Sequence, residues 1–283
     1  MNLQVVGIYR EPEFSPGKIA ADHAIMDAVL HHLRRSGAAV AAVEAAELEP
    51  LAAGSRPDLV LAMCQGPKML KRLAAFEQAG ALVINSALAI RNCYRDLLGA
   101  GLANARVPIP EGRLIDTGVP LDPGALRSLD LAAPIYVKRG DLHALGPEDV
   151  QRVQGAAALE TAVLSFARRG IPRVYAQQEV TGEVVKFYGV GDGRDYFAAI
   201  TSADRNLDEA LSADLARAAG AVASTLGLSV WGGDAVIDGA RLALIDFNDW
   251  PSFARVRDQA AHAIARHCLR RLGQAAQPRQ LPA

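Results

Sequence analysis

From residue 3 to about residue 86 short apolar runs alternate with amphipathic stretches, and no other feature narrows the folding choices of this chain as much. LQVVGIY reads as a strand, HAIMDAVLHHLRRSG as a helix, AAVAAVEA and DLVLAMC as strands, MLKRLAAFEQAG as a helix and ALVIN as a strand. Strands joined through helices return to the sheet in the same direction, so the pattern predicts a small Rossmann-like α/β unit around a parallel sheet. Gly37 and Gly80 end the two helices just before apolar strands, where a left-handed residue turns the chain back. The loop after the first strand, IYREPEFSPGK, has no G-x-G-x-x-G, so a dinucleotide is not expected there. Ligands of parallel sheets lie beyond the carboxyl ends of the strands, which points this loop, with Tyr9, Arg10 and Lys18, at a substrate held between units; the alternative is an ordinary surface loop.

The remaining chain is long enough for further compact units sharing a cleft, since 283 residues exceed the usual single-domain size. The expected division is 1–86 for the first unit, 87–175 for a central unit, 176–273 for a C-terminal unit, and a polar tail at 274–283 frayed by Pro278 and Pro282. In the central unit a helical stretch over 87–104 precedes Pro108 and Pro110, a strand near 112–115 and the strand and loop APIYVKRG. EDVQRVQGAAALETAVLSFARRG reads as one long helix or two, and VYAQQEV as a strand. The C-terminal unit holds EVVKFYGVG, the helix LSADLARAAGAVASTLG, the strands WGGDAVID and RLALIDFN, and the closing helix DQAAHAIARHCLRRLG. A net charge of -1 creates no global field for nucleic acid, so an anionic ligand must be held locally. The first apolar run is too short for a signal peptide and no stretch approaches the roughly 20 apolar residues of a membrane span, so a cytoplasmic protein without membrane partners is expected. Cys64, Cys93 and Cys268 lie far apart with no metal-ligand spacing, and reduced thiols are the plain reading.

The chemistry concentrates in the last two strands. If WGGDAVID and RLALIDFN pair across a turn at Asp238 and Gly239, period-two alternation puts Asp246 and Asn248 on one face and lets Asp234 lie opposite them. Acids and amides are rare inside apolar strands, and three hard oxygen ligands converging there suit magnesium, one ion or a pair, carrying phosphate. The plain alternative is a hairpin with solvated acids. Lys138 follows the strand APIYV and precedes Arg139-Gly140-Asp141, a placement that can present an ammonium to phosphate oxygens or simply end a strand in solvent. Lys186 shares a strand face with Val184 and Tyr188, where it either meets an anion or runs its stem along the sheet to water.

In this order the motifs resemble the ATP-grasp superfamily over about residues 87–270, with 1–86 resembling the small α/β domain that precedes it there. The resemblance implies an ATP-grasp fold, Lys138 on phosphate, the linking segment Gln178-Glu179-Val180 on adenine through backbone groups, Glu183 on ribose, and Asp234, Asp246 and Asn248 on magnesium. VKFYGVG and DFNDWPSF look most like the inositol trisphosphate 5/6-kinase group, which implies an ATP contact for Arg95 and a substrate contact for His143. DLVLAMCQGPKML and ALVINSALAIRNCYRDLL instead resemble the branch of bacterial glutathione synthetase and ribosomal-protein-modifying ligases.

Two chemistries follow. In a carboxylate-amine ligase, ATP phosphorylates a carboxylate and an amine displaces phosphate; Lys138 and Lys186 stabilise the transferring phosphoryl group, and Arg194 or Arg205 holds the acceptor, with Arg10 and Lys18 contributing from the first loop. In a small-molecule kinase the same machinery phosphorylates a hydroxyl of a polyol or inositol phosphate. The ligase is the first expectation and the kinase the second. The acceptor is a small molecule or peptide, and superfamily habit favours a homodimer.

Overall fold

The apolar run near the N-terminus becomes the middle of the first sheet. In the computed structural model, which describes residues 3–48, 56–122, 124, 126–201, 203 and 207–276, β1 (Gln4–Ile8) lies parallel to β2 (Ala39–Val43) on one side and β3 (Leu59–Ala62) on the other, and β4 (Leu82–Ile84) pairs beyond β3. The connecting helices are α1 (Ile19–Arg35) and α2 (Pro67–Gln78). Helix α1 buries Ile25, Met26, Val29, Leu30 and Leu33, the spacing that lays one stripe on a sheet. Gly37 and Gly80 sit at φ 91° and 88°, as their place after each helix implies. The predicted parallel unit is therefore present.

The helical stretch expected over 87–104 divides into α3 (Ala87–Asn92) and α4 (Arg95–Asn104). Tyr94 separates them in an extended conformation, its ring buried and its hydroxyl donating to the Gln65 carbonyl. A second, antiparallel sheet follows, with β5 (Gly112–Asp116), β6 (Ile135–Arg139), β7 (Val150–Val153) and β8 (Arg173–Gln178) in the order β5-β8-β6-β7. Helix α5 (Ala156–Arg168) covers one face. Here the sequence expectation of one or two helices from Glu148 onward is corrected. Val150 and Val153 flank two polar residues and pair with β6, and Gly155 at φ 88° breaks the chain before the helix begins.

The third sheet contains β9 (Glu183–Val190), β10 (Tyr196–Thr201), β11 (Val230–Asp238) and β12 (Arg241–Asp249), all antiparallel in the order β10-β9-β11-β12. Strand β10 was not among the expected elements. Helix α6 (Glu209–Leu226) packs on this sheet over a core of Phe187, Trp231 and Phe247. The closing helix α7 (Arg257–Ala276) instead joins the first unit, since Ile264 and Cys268 share a core with Ile25, Met26, Leu33, Trp250 and Phe253. It runs past Gln274, where fraying was expected, to Ala276; residues 277–283 lie outside the described residues. No helix among the described residues is long and apolar enough to cross a membrane, and all three cysteines are buried free thiols.

Candidate active site

Strands β11 and β12 turn at Gly239, which adopts φ 58°, and their register pairs Asp234 with Asp246 and Gly232 with Asn248. Phe247 points into the α6 core, so its neighbours Asp246 and Asn248 face the other way; Leu244 reaches the same core because a bulge at Ile245 shifts the register between the Asp234–Asp246 and Ala235–Leu244 pairs. Strand β9 sets Lys186 beside Asp234, and the two form an ion pair with Nζ 2.7 Å from Oδ1. The expected convergence of two carboxylates and an amide on one face is thus observed, with a lysine added to it.

Over that face lies a cleft of about 420 Å³ that brings together Arg10, Lys18, Arg95, His143, Lys186, Asp234, Asp246 and Asn248. Arg95, at the first turn of α4, reaches to 3.5 Å from Asp246 Oδ2. Burial works to raise the pKa of Asp246, but the charges of Arg95, Lys138 and His143 outweigh it and hold the carboxyl below its ordinary value. Arg10 is anchored rather than free: Nε donates to the Met63 carbonyl at 3.1 Å, Nη2 to the Trp250 carbonyl at 2.5 Å, and Nη1 lies 3.4 Å from Asp22 Oδ2. Tyr9, from the same loop, stacks on His23 and donates to Asp27, away from the cleft lining.

Lys138 comes from β6 on the second sheet and crosses to the third. Its Nζ donates to Gln177 Oε1 at 2.6 Å and to the Ile245 carbonyl at 3.2 Å, in a narrow gap that Arg95, Tyr175 and Asp246 also line. Burial lowers its pKa, and Asp246 pulls against that. The lysine expected on phosphate and the acids expected on metal therefore meet at one seam between two sheets.

The linking segment follows strand alternation up to Gln178. Gln177 faces the seam, whereas Gln178 is turned outward, its amide held by Asp130 and Pro134. The Glu179 carboxylate is taken by Arg152 at 2.8 Å, and its N–H donates to the Pro134 carbonyl. Among the described residues no backbone hydrogen bond occupies the Glu179 carbonyl or the Val180 N–H, the two atoms an adenine edge needs. Glu183 opens β9 just beyond them. Arg194 is exposed in the turn before β10, paired with Asp192, and does not line the cleft. Arg205 lies outside the described residues. Asp22, Gln65, Asp249 and Arg255 line the cleft without having been singled out. Of these only Asp249 carried a signal, an acid directly beside Asn248 at the end of an apolar strand.

A parallel-sheet unit followed by two antiparallel sheets, with a lysine on one and an acid-acid-amide set on the other meeting between them, defines an ATP-grasp fold, and this chain has that fold. Among solved structures it is similar to D-alanine–D-alanine ligase from Bacillus anthracis complexed with ATP, at 12% identity and TM-score 0.72 over 97% of this chain and 99% of that one. It is also similar to a RimK domain ATP-grasp protein from Sphaerobacter thermophilus, at 18% identity and TM-score 0.68 over 94% and 99%, and to the D-cycloserine synthetase DcsG, at 18% identity and TM-score 0.70 over 95% and 99%. No family model matches the chain, and no curated protein matches its sequence. The likeness is one of fold.

Proposed function

We propose that the protein is an ATP- and magnesium-dependent carboxylate-amine ligase. The observation that carries this reading is the seam itself, where Lys138 and Arg95 converge on Asp246 while Asp234 and Asn248 complete an all-oxygen set beside Lys186. Two carboxylates and an amide are hard donors that suit magnesium. Magnesium bound there would neutralise phosphate charge and orient the phosphoryl group. Lys138 and Lys186, from facing sheets, would stabilise the transferring group by position and charge, with no covalent enzyme intermediate required. The Glu179 carbonyl and Val180 N–H would read the adenine edge, and Glu183 the ribose. The solved structures reported above support the ligase over the kinase, because all of those with a named reaction are ligases or synthetases.

The test is ADP release from ATP and magnesium with pooled amino acids, small carboxylates and inositol phosphates, with Asp246→Asn as the blank. ADP that needs a carboxylate and an amine together is the expected result. A product heavier by one phosphoryl group from a hydroxyl acceptor alone would establish the kinase instead.

A further inference from the structure

Two carboxylates that line the cleft are buried, each with one oxygen unpartnered. Asp22, on α1, is 1% exposed; its Oδ2 accepts from Ser15 Oγ at 2.7 Å and faces Arg10, while Oδ1 has no partner. Asp249, at the end of β12, is also 1% exposed; Oδ1 accepts from Gln65 Nε2 at 2.7 Å with His143 Nε2 3.3 Å away, while Oδ2 has no partner. Both residues line the one cleft that holds Asp234, Asp246 and Asn248. A buried carboxylate oxygen without a donor is costly, and two such atoms in one cleft are groups awaiting a donor.

On the strength of the ligase reading, we propose that Asp22 and Asp249 form the subsite for the amine substrate, which they bind as a primary ammonium. An ammonium carries three N–H donors and one positive charge, matching two acceptor oxygens in a wall where Arg10 is already committed. Arg10 is spent on Met63, Trp250 and Asp22, so it neither fills Asp22 Oδ1 nor competes with an incoming amine. A divalent metal is the weaker occupant, because Asp234, Asp246 and Asn248 already offer the hard oxygen set in this cleft. The bound ammonium gives one proton to solvent before its nitrogen attacks the acyl carbon; the C–N bond forms as the C–O bond to phosphate breaks, and a second proton leaves with amide formation.

Hydroxylamine separates the two stages, since it is uncharged at neutral pH and captures an acyl phosphate without an ammonium subsite. Wild-type protein is given ATP, magnesium and a panel of amino acids and small carboxylates, and hydroxamate is measured with hydroxylamine while amide is measured with the amino acids and simple alkylamines. Asp22→Asn, which keeps the size and the Ser15 contact, is expected to lower kcat/KM for the amine by about ten- to hundredfold while hydroxamate falls less than about threefold. Asp22→Glu restores the charge and is expected to recover part of the loss. Equal loss of hydroxamate and amide, or an unchanged amine kcat/KM, overturns the subsite, the second result meaning that water satisfies these oxygens. No hydroxamate from the wild type with any carboxylate sinks the ligase reading, and this inference with it.

Discussion

Asp246 and Lys186 face the same cleft, but the fold depends on them to very different degrees. Asp246 is enclosed by Arg95, Lys138 and His143, and its loss leaves the buried Lys138 without its main counter-charge. Asp246→Ala is expected to lose about 3 kcal/mol of stability as well as ADP release, as when one partner of a buried pair is removed. Lys186 is half exposed, so its pair with Asp234 is worth little to the fold. Lys186→Ala should leave the urea midpoint almost unmoved and reduce ADP release by about a hundredfold; full turnover in that variant would reduce Lys186 to a surface ion pair. Away from the cleft, His267 is buried against Asp195 and Arg270. Burial lowers its pKa below 6.5, with Arg270 and Arg271 adding to the effect and Asp195 opposing it, and His32 is lowered likewise. In the window below 6.5 the unfolded chain takes up protons that the folded chain does not, so stability is complete above that value and declines as pH falls through the folded pKa values. Tm is expected to drop between about pH 6.5 and 5, and His267→Gln to flatten part of that slope.

Among the elements, β9 is tightly constrained, because Gly189 lies flush against the Trp231 indole and a Cβ there would overlap the ring. Gly189→Ala is expected to cost about 1–3 kcal/mol through displacement of Trp231 and its hydrogen bond to the Gly191 carbonyl, read as a lower urea midpoint with altered tryptophan fluorescence. An unchanged midpoint would mean that the sheet absorbs the methyl group. Strands β11 and β12 were legible in the sequence because acids interrupt apolar alternation around an Asp-Gly turn, although the bulge that skips Ile245 and sets Asp234 opposite Asp246 has no local signal. Strand β7 was not, since Val150-Gln151-Arg152-Val153 is short and runs straight toward a strong helical pattern; pairing with β6 decides it. The same limit governs Gln177 and Gln178, where two identical neighbours offer no local signal for which one meets Lys138. Asp22 is the extreme case. In sequence it is a lone acid in the first turn of a helix, and only the approach of Arg10, Ser15 and the cleft wall gives it a role.

At the scale of the molecule, the first sheet and the third behave as one body although they are far apart in sequence. Helix α7 shares a core with α1, and Trp250 and Phe253 fill it from the loop after β12. Asn85 adds a polar stitch: its Nδ2 donates to the Val230 carbonyl at 2.7 Å, and its Oδ1 accepts from the N–H groups of Ser229 and Val230 at 2.8 and 3.0 Å. The second sheet with α5 has a core of its own and meets this body through Lys138, the linking segment, the Asp96 N–H of α4 on the Gly140 carbonyl at 2.8 Å and the His143–Asp249 pair. That division makes the second sheet the part best able to move when the seam takes up a ligand. It also makes Asn85 a test of the joint. Asn85→Ala leaves buried backbone groups of β11 unpaired and is expected to destabilise by at least about 2 kcal/mol. Both tryptophans, Trp231 and Trp250, belong to the third sheet or its shared core. If the two sheets unfold together, the urea midpoints from tryptophan fluorescence and far-ultraviolet circular dichroism fall by the same amount in this variant. A circular dichroism transition that moves while the tryptophan transition stays in place would show the first sheet melting by itself, and the shared core would then be a contact between independent units.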